Sequence, residues 1–327
     1  MNFYSDNVAG AAPEILAALA EGAAGSVQSY GADPATARVE RRLAEIFETE
    51  IVVFPVATGT AANALALAAL CPPYGAVYCH AESHVQVDEC GAPEFYTGGA
   101  KLVPLAGAHG RIAPADLERA LAAGGAGDVH HVQPAALSIG QLSEAGTAYT
   151  PGHVAELADV ARRHGLGLHM DGARFANALV GLGCTPAELT WKAGVDVLSF
   201  GATKNGCLAA EALVFFKPGL AREIGFRRKR AGHLFSKMRF LSLQLEAYLA
   251  DDLWLRLAGH ANAMAARLAE GLAGAPGVEI AHPVDGNQIF VALPPAVKRG
   301  LRSEGFGLST WDDRLSRLVC AFNTEPA

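Results

Sequence analysis

The feature that most narrows what this chain can become is an alternation of two apolar patterns along most of its length. Short runs rich in Val, Leu and Phe, suited to strands buried on both faces, take turns with longer Ala/Leu segments whose apolar positions recur at helical spacing. Such alternation marks βαβ units and a mainly parallel sheet, so the fold class is α/β. The strand candidates are Ile51 to Val56, Ala76 to Cys79, Lys101 to Pro104, Val129 to Gln133, Gly167 to Met170, Val195 to Phe200 and Ala212 to Phe216. Helices are expected at Pro13 to Ala20, Pro34 to Phe47, Thr60 to Leu70, Pro114 to Ala122, Pro151 to His164 and Thr185 to Ala193. Asp33-Pro34 and Thr150-Pro151 set a capping oxygen just ahead of a residue whose fixed φ suits the first helical turn. A helical pattern from Arg239 to Leu272 breaks near Asp251-Asp252, strands follow between Val278 and Val291, and a last strand is read at Arg317 to Ala321.

A length of 327 residues exceeds what one hydrophobic core usually spans, which predicts a large domain over 1–240, N-terminal segment included, and a small one over 241–327. The chain ends at Ala327 soon after its last strand with no helix to cover it, the pattern of a truncated α/β unit. With 51% hydrophobic and 18% charged residues, disorder is excluded. The net charge of −7 offers no broad basic field to nucleic acid or to an anionic membrane. The one basic run, Arg227-Arg228-Lys229-Arg230, therefore reads as a solvated face or as an anion contact in a cleft. The N-terminus carries no basic and apolar leader, and Ala61 to Leu70 is far too short to span a bilayer, so cytoplasmic residence is expected. Six scattered cysteines read as reduced thiols. Cys79, His80, His84 and Cys90 are zinc-ligand types at no usual spacing, and no metal is expected.

Three strand ends carry the chemistry. The first runs into Ala57-Thr58-Gly59-Thr60 and a helix, so that backbone N–H groups and two hydroxyls face whatever lies beyond, a phosphate cradle or simply a capped helix start. No GxxxxGK[ST] or GxGxxG pattern accompanies it, which argues against a nucleotide. A second strand delivers Asp171, a cleft carboxylate or the cap of the segment after Gly172. A third ends in Gly201-Ala202-Thr203-Lys204-Asn205-Gly206, where a lysine among small residues is a Schiff-base former or an ordinary loop lysine. Together they supply an anchor for a phosphate, an acid for a ring nitrogen and an amine for an aldehyde. Asp171 and Lys204 lie about one αβ unit apart, on strand ends that can share a pocket. That is the donor set for pyridoxal 5'-phosphate.

The motifs Phe3-Tyr4-Ser5-Asp6-Asn7, Tyr30-Gly31, Ala57-Thr58-Gly59-Thr60-Ala61-Ala62-Asn63, Ser83-His84, His169-Met170-Asp171-Gly172-Ala173-Arg174 and Ser199 to Gly206, with Arg317, cover almost the whole chain. In these the sequence resembles the low-specificity L-threonine aldolases, phenylserine aldolases among them, of the fold-type-I pyridoxal-phosphate enzymes. The resemblance implies a three-layer large domain and an enzyme that cleaves L-threonine, L-allo-threonine and related β-hydroxy amino acids to glycine and an aldehyde. It implies that Lys204 carries the cofactor, that Asp171 pairs with the ring nitrogen, that Thr58, Gly59 and Thr60 hold the phosphate, and that His84 stacks on the ring. Arg174 is expected at both cofactor and substrate, with Ser5, Tyr30 and Arg317 on the substrate; an arginine fork suits a carboxylate.

The resemblance also implies a homotetramer, or a dimer, with sites at subunit interfaces, and the basic segment 227–239, Lys237 included, would lend charge to a phosphate. Many members of the group carry a Thr-His pair where this chain has Ile139-Gly140-Gln141. The base that takes the substrate's hydroxyl proton is then His84 or a water it orders, or else His130 or His131, with Asp88 as a further contact to the substrate side chain. Rival readings are β-elimination or transamination on the same scaffold, and a cofactor-fold protein without catalysis.

Overall fold

The structure, a computed structural model, describes residues 1–326. Seven apolar runs form one sheet: β1 (Val52–Val56), β2 (Gly75–His80), β3 (Lys101–Leu105), β4 (Gln133–Gly140), β5 (Gly167–Gly172), β6 (Val197–Gly201) and β7 (Glu211–Phe215), in the order β1-β7-β6-β5-β4-β2-β3. Only β7 runs against its neighbours. Strands β2, β6 and β7 are buried at every residue, as expected of a sheet covered on both faces.

One face is covered by a layer that includes α1 (Pro13–Glu21), α2 (Pro34–Phe47) and the helices Pro151–Arg163 and Phe175–Leu182, with Val39, Leu43, Phe47, Leu157, Phe175 and Trp254 in its core. The other is covered by α3 (Gly59–Leu70) and the helix Ile224–Arg230, through Ala62, Leu65, Ala66 and Ile224. This is a three-layer α/β fold. Proline opens α1, α2 and the helix Pro151–Arg163 as expected, and Asp33 and Thr150 accept hydrogen bonds from Thr36 N and His153 N as N-caps.

One strand departs from expectation. β4 begins at Gln133, where the strand expected at Val129 to Gln133 should have ended. Gly125 and Gly127 take positive φ, and turns closed by Asp128 N to Gly125 O and His131 N to Asp128 O hold 125–131 in a loop. Pro134 sits at a register shift in the pairing with β2, a position where the missing N–H does no harm.

A second, antiparallel sheet of β8 (Glu279–Ile280), β9 (Gln288–Ala292), β10 (Ser309–Thr310) and β11 (Leu315–Val319) packs on the long helix Leu253–Leu272, in the order β10-β11-β9-β8. The helical pattern breaks where expected, with Asp251 and Asp252 at φ of 47° and 52°. Residue 241 falls inside the helix Arg239–Leu249, which packs on α1 and α2, so the chain passes to the smaller unit through the helix after it. The N-terminal segment joins that smaller unit too: Phe3 N donates to Gly307 O, and Val319 N donates to Phe3 O.

Candidate active site

Since six strands run one way, their C-terminal ends and the start of β7 share one edge of the large sheet, where helix N-termini and loops leave a cleft. At the end of β1, Thr58 caps α3 by accepting from Ala61 N at 3.2 Å, which leaves its hydroxyl proton free. The N–H groups of Gly59 and Thr60 have no intrahelical acceptor. A Cβ on Gly59 would meet nothing within 4 Å, so there is open space over the cradle. Arg228, from the basic helix, donates to Pro55 O at 3.2 Å and lies 5.1 Å from the Phe54 ring, while its buried Nε has no partner. His233 accepts from Ala57 N.

Asp171 stands near the end of β5. Its Oδ1 accepts from Ala173 N at 3.0 Å and its Oδ2 from Asn63 Nδ2 at 2.7 Å. Burial alone would raise this carboxyl, but the charges of His84, His169 and Lys204 hold it net below its ordinary value, so it stays ionised. Two residues back, His169 is buried between Ser138 and Ser199, and burial pushes its pKa down to about 4. Asn63 also donates to Glu89 Oε1 at 2.7 Å, and that oxygen is bonded to His84 Nδ1 at 2.7 Å. The bond to Glu89 raises the pKa of His84 and fixes which nitrogen faces the cleft. Glu89, not its neighbour Asp88, is the acid built into this network; Asp88 is exposed, although Arg317 feels its charge.

β6 delivers Lys204 on a single turn, Thr203–Asn205, that Gly206 ends at φ 110°. Asn205 anchors the turn by donating to the Tyr248 hydroxyl and to Trp254 O, each at 2.8 Å. The Lys204 ammonium has no hydrogen bond or ion pair among the described residues. Glu211, in register with Val56 and Gly201, accepts from Ala202 N, and burial pushes its pKa up to about 7.

The two arginines differ. Arg174 forms a buried two-point ion pair with Asp6, at 2.7 and 2.9 Å, and Ser5 and Asn287 also donate to that carboxylate. Arg317 on β11 lies 5.3 Å from the Trp311 ring and its buried Nε is unpartnered. Burial and the charge of Arg174 both act against its own charge, so the pair is short of an anion.

Of the residues singled out in the sequence, Thr58, Gly59, Thr60, His84, Asp171, Arg174, Lys204 and Ser5 gather at or beside this edge, and Arg317 is brought to it from the small sheet. Tyr30 and Lys237 lie in neighbouring loops: Tyr30 N donates to Ser236 O, the Tyr30 ring stacks under Lys229 at 4.8 Å, and Lys237 is exposed. His130 stands apart: with β4 starting at Gln133, it is exposed in the loop before the strand, at the opposite edge of this chain's sheet from Asp171. His131 shares that loop. Sequence reasoning missed Glu89, Glu144 and Glu211, carboxylates separated from the motifs in sequence. Glu144 lines the same small cavity as His84, Ser83, Gly140 and Asp171.

An acid kept ionised, an unpaired amine and an open helix start on one edge fit the ring nitrogen, aldehyde and phosphate of pyridoxal phosphate. The family model described as beta-eliminating lyase matches residues 2–294. A low specificity L-threonine aldolase of Pseudomonas aeruginosa is 45% identical over 324 residues, 99% of this chain and 93% of that protein. One from another Pseudomonas is 44% identical over 327 residues, 99% of this chain and 94% of that protein. Among solved structures, the Leishmania major threonine aldolase superposes with a TM-score of 0.92 at 30% identity, over 99% of this chain and 95% of that one.

Proposed function

The chain belongs to the beta-eliminating lyase family and is a pyridoxal-phosphate-dependent carbon–carbon lyase that cleaves threonine, and we propose that the groups at the cleft edge divide the work as follows. When bound, the cofactor supplies an aldehyde for the substrate amine and a cationic ring that accepts the electron pair released at Cα. Lys204 is the amine that would hold it. Asp171, kept ionised by its neighbours, balances the positive ring nitrogen. Thr58, Gly59 and Thr60 would grip the phosphate with hydroxyl and N–H donors at the start of α3, and Arg228 is a cation set beside that cradle by its bond to Pro55 O at the end of β1.

Arg317 binds the substrate carboxylate, with Arg174 and Ser5 beside it. Holding that group in one place presents the Cα–Cβ bond for cleavage and gives most of the orientation the reaction needs. His84 would lie against the ring, its tautomer fixed by Glu89. L-allo-Threonine and phenylserine share the β-hydroxyl and fall within the proposed substrate range. A cytoplasmic homotetramer is the assembly we favour, supported by the exposed rings of Phe95 and of Phe226 on the basic helix, 74% and 81% accessible. Sedimentation at micromolar protein tests it, and a monomer would remove it. No described helix is long and apolar enough to cross a membrane.

The observation that carries the reading is the meeting of Lys204, Asp171 and the α3 start on one sheet edge. The experiment is to incubate holoenzyme with L-threonine and assay glycine and acetaldehyde, then to trap the cofactor with borohydride and map the labelled peptide. Lys204 should carry the label. A keto acid in place of glycine would replace cleavage by elimination or transamination, and a label on another lysine would remove Lys204 from its role.

A further inference from the structure

Glu144 sits on the turn that follows β4, and the protein goes to some length to hold that turn still. Gly146 N closes it on Ser143 O at 2.9 Å, and Ser143 N donates to Thr147 O at 2.8 Å. The Thr147 hydroxyl donates to His109 O, Ala148 N donates to Asp285 Oδ2, and the buried Ala145 fills the space beneath. Anchors from the large sheet and from the small unit thus fix the backbone, yet neither Glu144 carboxylate oxygen has a hydrogen bond or an ion pair among the described residues. The side chain is half-buried and faces the cavity that His84 and Asp171 line. Around it lie Lys204 from the turn after β6, Arg174 and Asp171 from the end of β5, His84 from the loop after β2 and Arg317 from β11, each of which feels or exerts its charge. A carboxylate fixed in place, ringed by the site's cations and left without a donor is a group kept for something that arrives.

Resting on the lyase reading above, we propose that Glu144 is a catalytic residue, the acceptor of the substrate's β-hydroxyl proton. The step balances without any co-reactant. The O–H pair becomes the second C–O bond of the aldehyde, the Cα–Cβ bond breaks with its pair going to Cα, and a proton added at Cα later completes glycine, so one proton is removed and one is returned. His84 is the weaker choice for this task. Its Nδ1 is tied to Glu89, and that bond favours the protonated ring, which donates rather than accepts. Burial raises Glu144 above an ordinary carboxylate, against the pull of Lys204 and Arg174, which makes it a better base.

The test uses holoenzyme carrying Glu144→Gln, which keeps the side chain's size and removes the acceptor. L-Threonine cleavage should fall by about 10²- to 10⁴-fold in kcat, the range for losing a general base, and the low-pH limb of its pH profile should disappear. Glycine binding, read from the cofactor's absorption, should keep its dissociation constant within about twofold, since glycine has no β-hydroxyl to engage. Glu144→Asp should retain part of the rate, and it serves as the second variant if the Gln protein is insoluble. A wild-type rate with an unchanged pH profile in Glu144→Gln overturns the proposal, as does an Asp variant whose pH profile is unchanged while its rate falls only with its glycine affinity. So does a loss of glycine affinity parallel to the loss of rate, because that marks a merely structural role. A wild-type holoenzyme that binds glycine but makes no glycine and aldehyde from threonine overturns the lyase reading itself, separately from Glu144.

Discussion

The two edges of the seven-stranded sheet are both polar in sequence, and they have opposite fates. At the edge where β1, β2, β4, β5 and β6 end, Asp171, Glu89 and Arg174 are buried, and each is bonded to a residue far away along the chain: Glu89 and Asp171 to Asn63, 26 and 108 positions off, and Arg174 to Asp6, 168 positions off. At the other edge, before β4, Asp128, His130 and His131 are exposed, and their bonds run to residues within a few positions. A titratable group acquires chemistry when long-range packing strips its water and dictates its partners. The contrast also explains why β4 matters so much. With the strand starting at Gln133 instead of Val129, His130 falls in the exposed loop before it rather than inside the strand.

The sharpest challenge to this contrast is Arg174→Leu. Removing one partner of the buried pair leaves Asp6 charged and desolvated, and unfolding free energy should drop by about 3–5 kcal/mol, measured by urea titration. A drop below 1 kcal/mol would mean that water reaches this edge after all.

A slightly smaller effect belongs to His169. Its folded pKa of about 4 lies under the ordinary 6.5, so the neutral ring's contribution is whole above pH 6.5 and is lost as pH falls toward 4. Between those limits the shift is worth about 3 kcal/mol. Comparing urea midpoints at pH 7 and pH 4.5 for the wild type and His169→Asn should show a shallower pH dependence in the variant; equal slopes would contradict the assignment.

Arg317→Leu should separate binding from folding. With no protein partner at its Nε to strand, the protein should melt almost as before, while KM for threonine rises by roughly 10- to 100-fold, the loss of a charge-assisted contact worth about 1.5–3 kcal/mol. At the far edge, His130→Ala should change neither kcat/KM nor stability beyond about 0.5 kcal/mol. A large effect on turnover there would undo the distinction between the edges.

Much of this was legible in the sequence because it rests on local signals. Prolines at Pro13, Pro34 and Pro151 mark helix starts through their own φ, Asp33, Thr58 and Thr150 cap through side chains three residues from their donors, and Lys204 and Asp171 follow strands that read clearly as apolar. What stayed hidden is non-local. β4 contains Pro134 and two alanines and becomes a central strand only because β2 and β5 flank it. Glu89 outranks Asp88 because Asn63, 26 positions away, reaches it. Arg174 reads as a free carboxylate ligand until Asp6, 168 residues earlier, is folded onto it.

The order of strands has one further consequence. The α3 cradle follows β1 and Asp171 rides on β5, with β7 and β6 lying between them. Three hydrogen-bonded spacings of about 4.8 Å set that separation at roughly 14 Å. The site is thus gauged by a ruler of backbone amides whose gradations no side chain can alter, and loops may lengthen or shorten around it without changing the size of molecule it measures.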